Sequence, residues 1–190
     1  TISNLRFLDF DNPIGMYQGA GGTDAFNGTK ILNNYIRLAT DLDSAAAPGE
    51  TAQNIAIHLS YGTNQMVSGN TIEVPGNGVR TNDAADVVLQ SNTSGGAVYN
   101  GLQITNNIIR VLQAQSANPE VIIGIWDNAH GHTSNITISG NQFVNMAAGN
   151  NPATNLQRAF RVTSHSSATT TVKYENNTVS GANIGFQWRF

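Results

Sequence analysis

The residues with the clearest claim to chemistry are Trp126 and Asp127, adjacent in the segment Ile125-Trp126-Asp127-Asn128, and Arg161 further along. A tryptophan turned outward beside a carboxylate and near an arginine suits a sugar ring. The indole face takes the apolar face of the ring, and the polar groups take its hydroxyls. Asp127 and Arg161, with Trp126 and the flanking loops, are also the residues on which a bond-cleaving site could be built. The plainer readings are a surface ion pair and a tryptophan packed under a neighbouring loop. His58, Tyr61, Gln90, His130 and His132 join the binding candidates. His130 and His132 flank Gly131, and two histidines could begin a metal site, but no third ligand is evident. Two solvated loop histidines are the plainer account. Inverting hydrolysis needs two carboxyls roughly 6.5 to 9.5 Å apart. The partner of Asp127 would be Asp83 or Asp86, one repeat earlier. Calcium takes roughly six to eight oxygens, and these same three acids would be a thin set for it. Asp9-Phe10-Asp11-Asn12 and Asp41-Leu42-Asp43 lack the glycine and distal glutamate of a calcium loop, and read as turns.

What must hold these residues is a repeat. Asn34, Asn70, Asn107, Asn141 and Asn177 follow one another at gaps of 36, 37, 34 and 36 residues. Each lies between two short apolar-alternating stretches, in the segments GTKILNNYI, NQMVSGNTI, GLQITNNII, NITISGNQF and TVKYENNTV. A fixed period of this size means stacked units that bury apolar faces only against their neighbours. Three residues before each asparagine stand Ile31, Val67, Ile104, Ile138 and Tyr174; two after stand Ile36, Ile72, Ile109, Phe143 and Val179. The alternation has period two, so these are strands. A third strand per repeat follows a polar loop: AIHLSYG, DVVLQSN, IGIWDN, AFRVTSH and GFQWRF. Ile57 and Leu59, Val87 and Leu89, Ile123 and Ile125, and Phe160 and Val162 are expected to point inward there. That leaves His58, Val88, Gly124 and Arg161 in one outer column, and Ser60, Gln90, Trp126 and Thr163 in the next. Each asparagine is expected to turn the corner between two strands in the left-handed backbone region, with its amide stacked on the next. In the first repeat, Phe7 is expected at the apolar place and Phe10 at the asparagine's.

With these segments, and the NITISGNQF type above all, the chain resembles the right-handed parallel β-helices of the pectin-lyase-like superfamily over almost its whole length. The resemblance implies an all-β solenoid of about five to six coils of roughly 36 residues, three strands per coil, with an asparagine ladder at one corner. It also implies a polysaccharide cleft on the third-strand sheet. The polar stretches 39–54, 75–86, 113–120 and 145–157 would wall that sheet. Trp126-Asp127 with His130 is similar to the tryptophan-acid-histidine segment of pectate lyases, with two residues inserted between acid and histidine. In that family an arginine takes the proton and clustered carboxylates hold calcium, so Arg161 and a possible calcium follow from the likeness. Gly131-His132 is similar to half of the glycine-histidine-glycine element of polygalacturonases.

Composition narrows the class. The 190 residues read as one domain, 1–190, without a linker. Without cysteine there is neither a disulfide frame nor a thiolate metal site. Charged residues are only 11% of the chain and the net charge is -3, which speaks against a nucleic-acid partner. No apolar run is long enough to span a membrane. Low charge with abundant Asn, Gly, Ser and Thr suits an extracellular or cell-surface bacterial β-solenoid. No signal peptide or capping helix is visible, which points to a processed chain, a piece of a larger one, or copies stacked end to end. Asn27, Asn92, Asn135 and Asn176 sit in glycosylation sequons; the last two fall in or beside strands, where the match is incidental. Three functions remain open: a polysaccharide-binding or adhesive rod, a polysaccharide lyase or glycoside hydrolase, and a subunit of a stacked filament or autotransporter-like passenger.

Overall fold

The computed structural model describes residues 1–10, 13–16, 26–38, 56–59, 62–75, 85–90, 98–112, 122–127, 132–146, 158–163, 171–182 and 184–189. For 85–90, 98–99, 122–127, 132–134, 158, 162–163 and 188–189 it describes the backbone alone. Among these residues the chain is all-β, with no helix. The strands come in threes: β1 (Ile2–Ser3), β2 (Arg6–Phe10), β3 (Ile14–Gly15); β4 (Lys30–Leu32), β5 (Tyr35–Leu38), β6 (Ile57–Leu59); β7 (Met66–Ser68), β8 (Thr71–Val74), β9 (Ala85–Gln90). A short β10 (Val98–Asn100) precedes β11 (Gln103–Thr105), β12 (Ile108–Val111) and β13 (Ile122–Asp127). A short β14 (His132–Ser134) precedes β15 (Ile136–Ser139), β16 (Gln142–Asn145) and β17 (Arg158–Thr163), and β18 (Val172–Glu175), β19 (Thr178–Ser180) and β20 (Ile184–Arg189) follow.

Corresponding strands of successive triplets pair in parallel. The first sheet runs β1-β4-β7-β11-β15-β18, the second β2-β5-β8-β12-β16-β19 and the third β3-β6-β9-β13-β17-β20. β10 and β14 make a fourth, two-stranded sheet that the sequence reading did not anticipate. The apolar columns are core as expected. Ile31, Val67, Ile104 and Ile138 pair in one row, and Ile36, Ile72, Ile109 and Phe143 in another; all are at most 1% exposed. Strands that pair in parallel with their inward faces covered read as β-branched runs, which these are.

The five asparagines form a continuous amide ladder. Asn70 gives its backbone N–H and Nδ2 to Asn107 Oδ1, both at 3.0 Å, and its Nδ2 also reaches Ile31 O at 3.0 Å. Asn107 repeats this on Asn141 Oδ1 and Val67 O. Asn34, Asn70, Asn107 and Asn141 are at most 2% exposed. Their backbone is not where it was expected. The left-handed residue is the one before each ladder asparagine: Asn33, Gly69, Asn106, Gly140 and Asn176, with φ between 55° and 69°. The corner therefore divides its work between two residues. One takes the turn, and the next satisfies buried backbone groups on either side.

From Asn33 onward the turning residue alternates between Asn and Gly, and each of these glycines has a steric reason. A Cβ on Gly69 would collide with Asn33 Oδ1, and one on Gly140 with Asn106 Oδ1. A second corner alternates likewise through Gly28, Asn64, Gly101 and Asn135, all at positive φ. There a Cβ on Gly101 would lie 2.7 Å from Asn64 Oδ1. Gly140→Ala should cost about 2–3 kcal/mol, from the left-handed backbone and the collision together. Adding Asn106→Gly should return about 1 kcal/mol of it, a coupling that urea midpoints of the two singles and the double would read. Strictly additive losses would refute the collision.

The first repeat is in a different register from the expected one. Ile2 pairs with Ile31 and Phe7 with Ile36, so Leu5, not Phe10, stands in the asparagine's place. Asn4 turns the corner at φ 57°, and Leu5 N–H donates to Asn34 Oδ1 across 29 residues. This repeat is shorter than the others, and that hid the match. Phe10 reaches Leu38 only after a register shift around Asp9, itself at φ 61°.

Candidate functional site

The third sheet carries the candidate residues, in two adjoining rows. One row runs Gly15, His58, Leu89, Trp126, Arg161, Gln187. The next runs Leu59, Gln90, Asp127, Val162, Trp188. Neighbours in a row stand about 4.8 Å apart along the hydrogen-bonding direction. The structure thus brings His58, Trp126 and Arg161 into a single row, with Trp126 directly opposite Arg161. Asp127 falls opposite Val162, and Gln90 shares Asp127's row, not that of Trp126.

These rows correct the expected columns. In β9 the residue level with Ile57, Ile125 and Phe160 is Val88, so Val87 and Leu89 do not hold that inward place. Ile57 and Phe160 are fully buried. A strand of consecutive apolar residues such as Asp86-Val87-Val88-Leu89 has no alternation to set its register, so partner strands decide it. Gly124 is passed over between the pairs Ile123–Asp86 and Ile125–Val88. His132 opens β14 opposite Val98, so it is a strand residue and not a loop one. Tyr61 and His130 lie outside the described residues, as do Ser60, Asp83, Asp11 and Asp41 to Asp43. So do most of the polar stretches expected to wall the sheet; Pro75, Ala85, Asp86, Asn145 and Met146 are the described parts of them.

His58 is half-buried between the buried Ile57 and Leu59. Burial pushes its imidazole below the ordinary pKa of 6.5. The unfolded chain therefore binds this proton more readily than the folded one. Above 6.5 the group is neutral in both states and costs nothing. As pH falls below 6.5, folding excludes a proton and stability drops, until the folded pKa is passed. His58→Gln should flatten the slope of stability against pH between about 7.5 and 5.5, read by urea unfolding at each pH. Parallel slopes for the two proteins would show that His58 titrates alike in both states. Arg161 is half-buried next to the fully buried Phe160.

A second polar cluster escaped the sequence reading. On the second sheet, Arg37, Glu73 and Arg110 stand in one row. Tyr35 donates its hydroxyl to Glu73 Oε2 at 2.6 Å, and Arg110 reaches Glu73 Oε1 at 3.5 Å. The Arg6 guanidinium lies 5.2 Å from the Tyr35 ring centroid. The hydrogen bond to Glu73, then burial, pushes the Tyr35 phenol upward. The signal was present: the residues three after Asn34, Asn70 and Asn107 read Arg37, Glu73 and Arg110. Opposite charges in neighbouring strands are cross-strand pairs, each of modest worth at a surface.

No group of three or more metal-ligating side chains occurs among the described residues. No helix among them is long and apolar enough to cross a membrane. Comparison with known proteins finds no matching family model, no matching curated protein and no matching solved structure.

Proposed function

We propose that the chain is a right-handed parallel β-helix of the pectin-lyase-like kind, a secreted or cell-surface bacterial module that binds polysaccharide along its third sheet. Three sheets that each take one strand from every triplet, all in parallel, support the helix. The general handedness of parallel crossovers supports its right-handed sense. The observation that carries the binding reading is the row in which Trp126 stands opposite Arg161, with His58 and Gln187 in line. A tryptophan and an arginine at opposed strand positions are the residue types that supply a stacking face and charged donors for sugar hydroxyls or carboxylates. Six strands at about 4.8 Å give a ladder of roughly 24 Å, long enough for a short oligosaccharide.

The test is incubation with polyuronates and neutral polysaccharides, with and without calcium, read by mass spectrometry of products and by tryptophan fluorescence. Binding without products is the expected result, and Trp126→Ala should weaken it at least tenfold, about 1.4 kcal/mol. Unsaturated or hydrolysed fragments would make the protein a lyase or hydrolase. Asp127→Asn should then lower turnover by about a hundredfold or more while leaving binding in place. Neither binding nor products with any polymer would overturn both readings and leave the rod or filament role.

A further inference from the structure

Asn27-Gly28-Thr29 is a glycosylation sequon that neither the sheets nor the candidate site uses. It forms the turn before β4, and Asn27 and Gly28 are exposed. Thr63, in the next repeat, holds this turn. Its backbone N–H donates to Asn27 Oδ1 at 2.8 Å and its hydroxyl to the same oxygen at 3.0 Å. Gly28 N–H in turn donates to Thr63 O at 2.8 Å. The amide is planar, so fixing Oδ1 against Thr63 turns Nδ2 away from it. Among the described residues nothing accepts a hydrogen bond from Asn27 Nδ2, and the Thr29 hydroxyl makes none either. The space beside the turn is open: a Cβ on Gly28 would meet no atom within 4 Å. The other sequons are placed differently. Asn135 Nδ2 donates to Asn100 Oδ1 at 3.0 Å, and its sequon runs on into β15, where Ile136 is buried. The sequon of Asn176 runs through Asn177, which accepts from Asn141 and donates to Ile138 O. Asn92 lies outside the described residues.

We propose that Asn27 is an acceptor for an N-linked glycan. In that step Nδ2 bonds to C1 of a sugar, the bond from C1 to the donor's diphosphate breaks, and Nδ2 gives up one proton. The co-reactants are a diphosphate-linked sugar and a glycosyltransferase, met as the chain is exported. The product keeps Oδ1 and one Nδ2 hydrogen, so both hydrogen bonds from Thr63 survive. The sugar enters open space, displaces no side chain and strands no buried polar group. A glycan is bulky and solubilising, which suits an exposed turn and not a strand edge. At Asn135 the same group would crowd the amide contact with Asn100. The proposal rests on the export of the chain, and not on the polysaccharide reading of the third sheet.

The test is expression of the full chain behind a secretion signal in a eukaryotic cell that N-glycosylates exported proteins. Enzymatic release of glycans turns each occupied asparagine into aspartate, and mass spectrometry of the secreted protein maps these sites. Occupancy at Asn27 should exceed that at Asn135 by roughly tenfold or more. Thr29→Ala should abolish it and Thr29→Ser should retain it. The Thr29→Ala protein should melt together with the deglycosylated parent, since the fold makes no use of that hydroxyl. Unmodified Asn27 in secreted protein would overturn the inference. Equal occupancy of Asn27 and Asn135 would do the same, because the geometry would then select nothing. Secretion of Thr29→Ala alone, with the parent retained in the cell, would show that the fold rejects a sugar at Asn27 and would overturn it too. The added signal supplies export, so a negative result falls on Asn27 itself and not on where the chain resides.

Discussion

Asn107→Leu is expected to lose about 3–5 kcal/mol of stability without opening a cavity, because leucine keeps asparagine's branched heavy-atom skeleton and is the bulkier of the two. Asn107 is fully buried. Its Oδ1 is the acceptor for both the backbone N–H and the Nδ2 of Asn70, and its Nδ2 serves Val67 O and Asn141 Oδ1. Leucine strands two donors on Asn70 and removes a partner from Val67, and each buried orphan costs about 1–3 kcal/mol. Asn107→Asp should fare no better. It keeps an acceptor but faces two oxygens with lone pairs, and it buries a charge. The loss should shrink at the end of the ladder: Asn177→Leu strands the Asn141 donors and removes a partner from the Ile138 carbonyl, but in a less buried place. Denaturant unfolding followed by circular dichroism gives the three values. An Asn107→Leu protein as stable as the parent would mean that water, and not the ladder, satisfies these groups.

Ile104→Asp is expected to unfold the protein or to lower its melting temperature by on the order of 15 °C. Ile104 lies in β11 between Val67 and Ile138 and is 1% exposed. The change removes a packed side chain, at about 2–5 kcal/mol, and puts a carboxyl where nothing can hydrogen-bond it. That sum is comparable to the whole stability of a domain, about 5–15 kcal/mol. Ile104→Val, which keeps the shape, should cost only about 1 kcal/mol. A melting curve unchanged by the aspartate would place residue 104 outside the core and undo the register of the first sheet.

The period, the parallel strand triplets and the membership of the ladder were legible in the chain, because each rests on local pattern. β-branched residues alternate around every Asn, and the Gly-Asn and Asn-Asn pairs mark every corner. Even the division of labour at the corner was written there, as NN, GN, NN, GN, NN. Its meaning was not, since it depends on where Asn33 Oδ1 lies relative to Gly69 in another repeat. The same limit applies to the candidate site. His58, Trp126 and Arg161 could be named from their types, but their shared row could not. β9 runs Val87-Val88-Leu89 with no polar alternation, so only pairing with β6 and β13 decides which residue stands level with Ile57. Leu5 is the plainest case: nothing in its own neighbourhood marks it as the ladder's first member, and only the hydrogen bond to Asn34, 29 residues on, does so. Strand type is set by each segment's own residues; the row a residue joins is set by hydrogen bonds to segments far away in the chain.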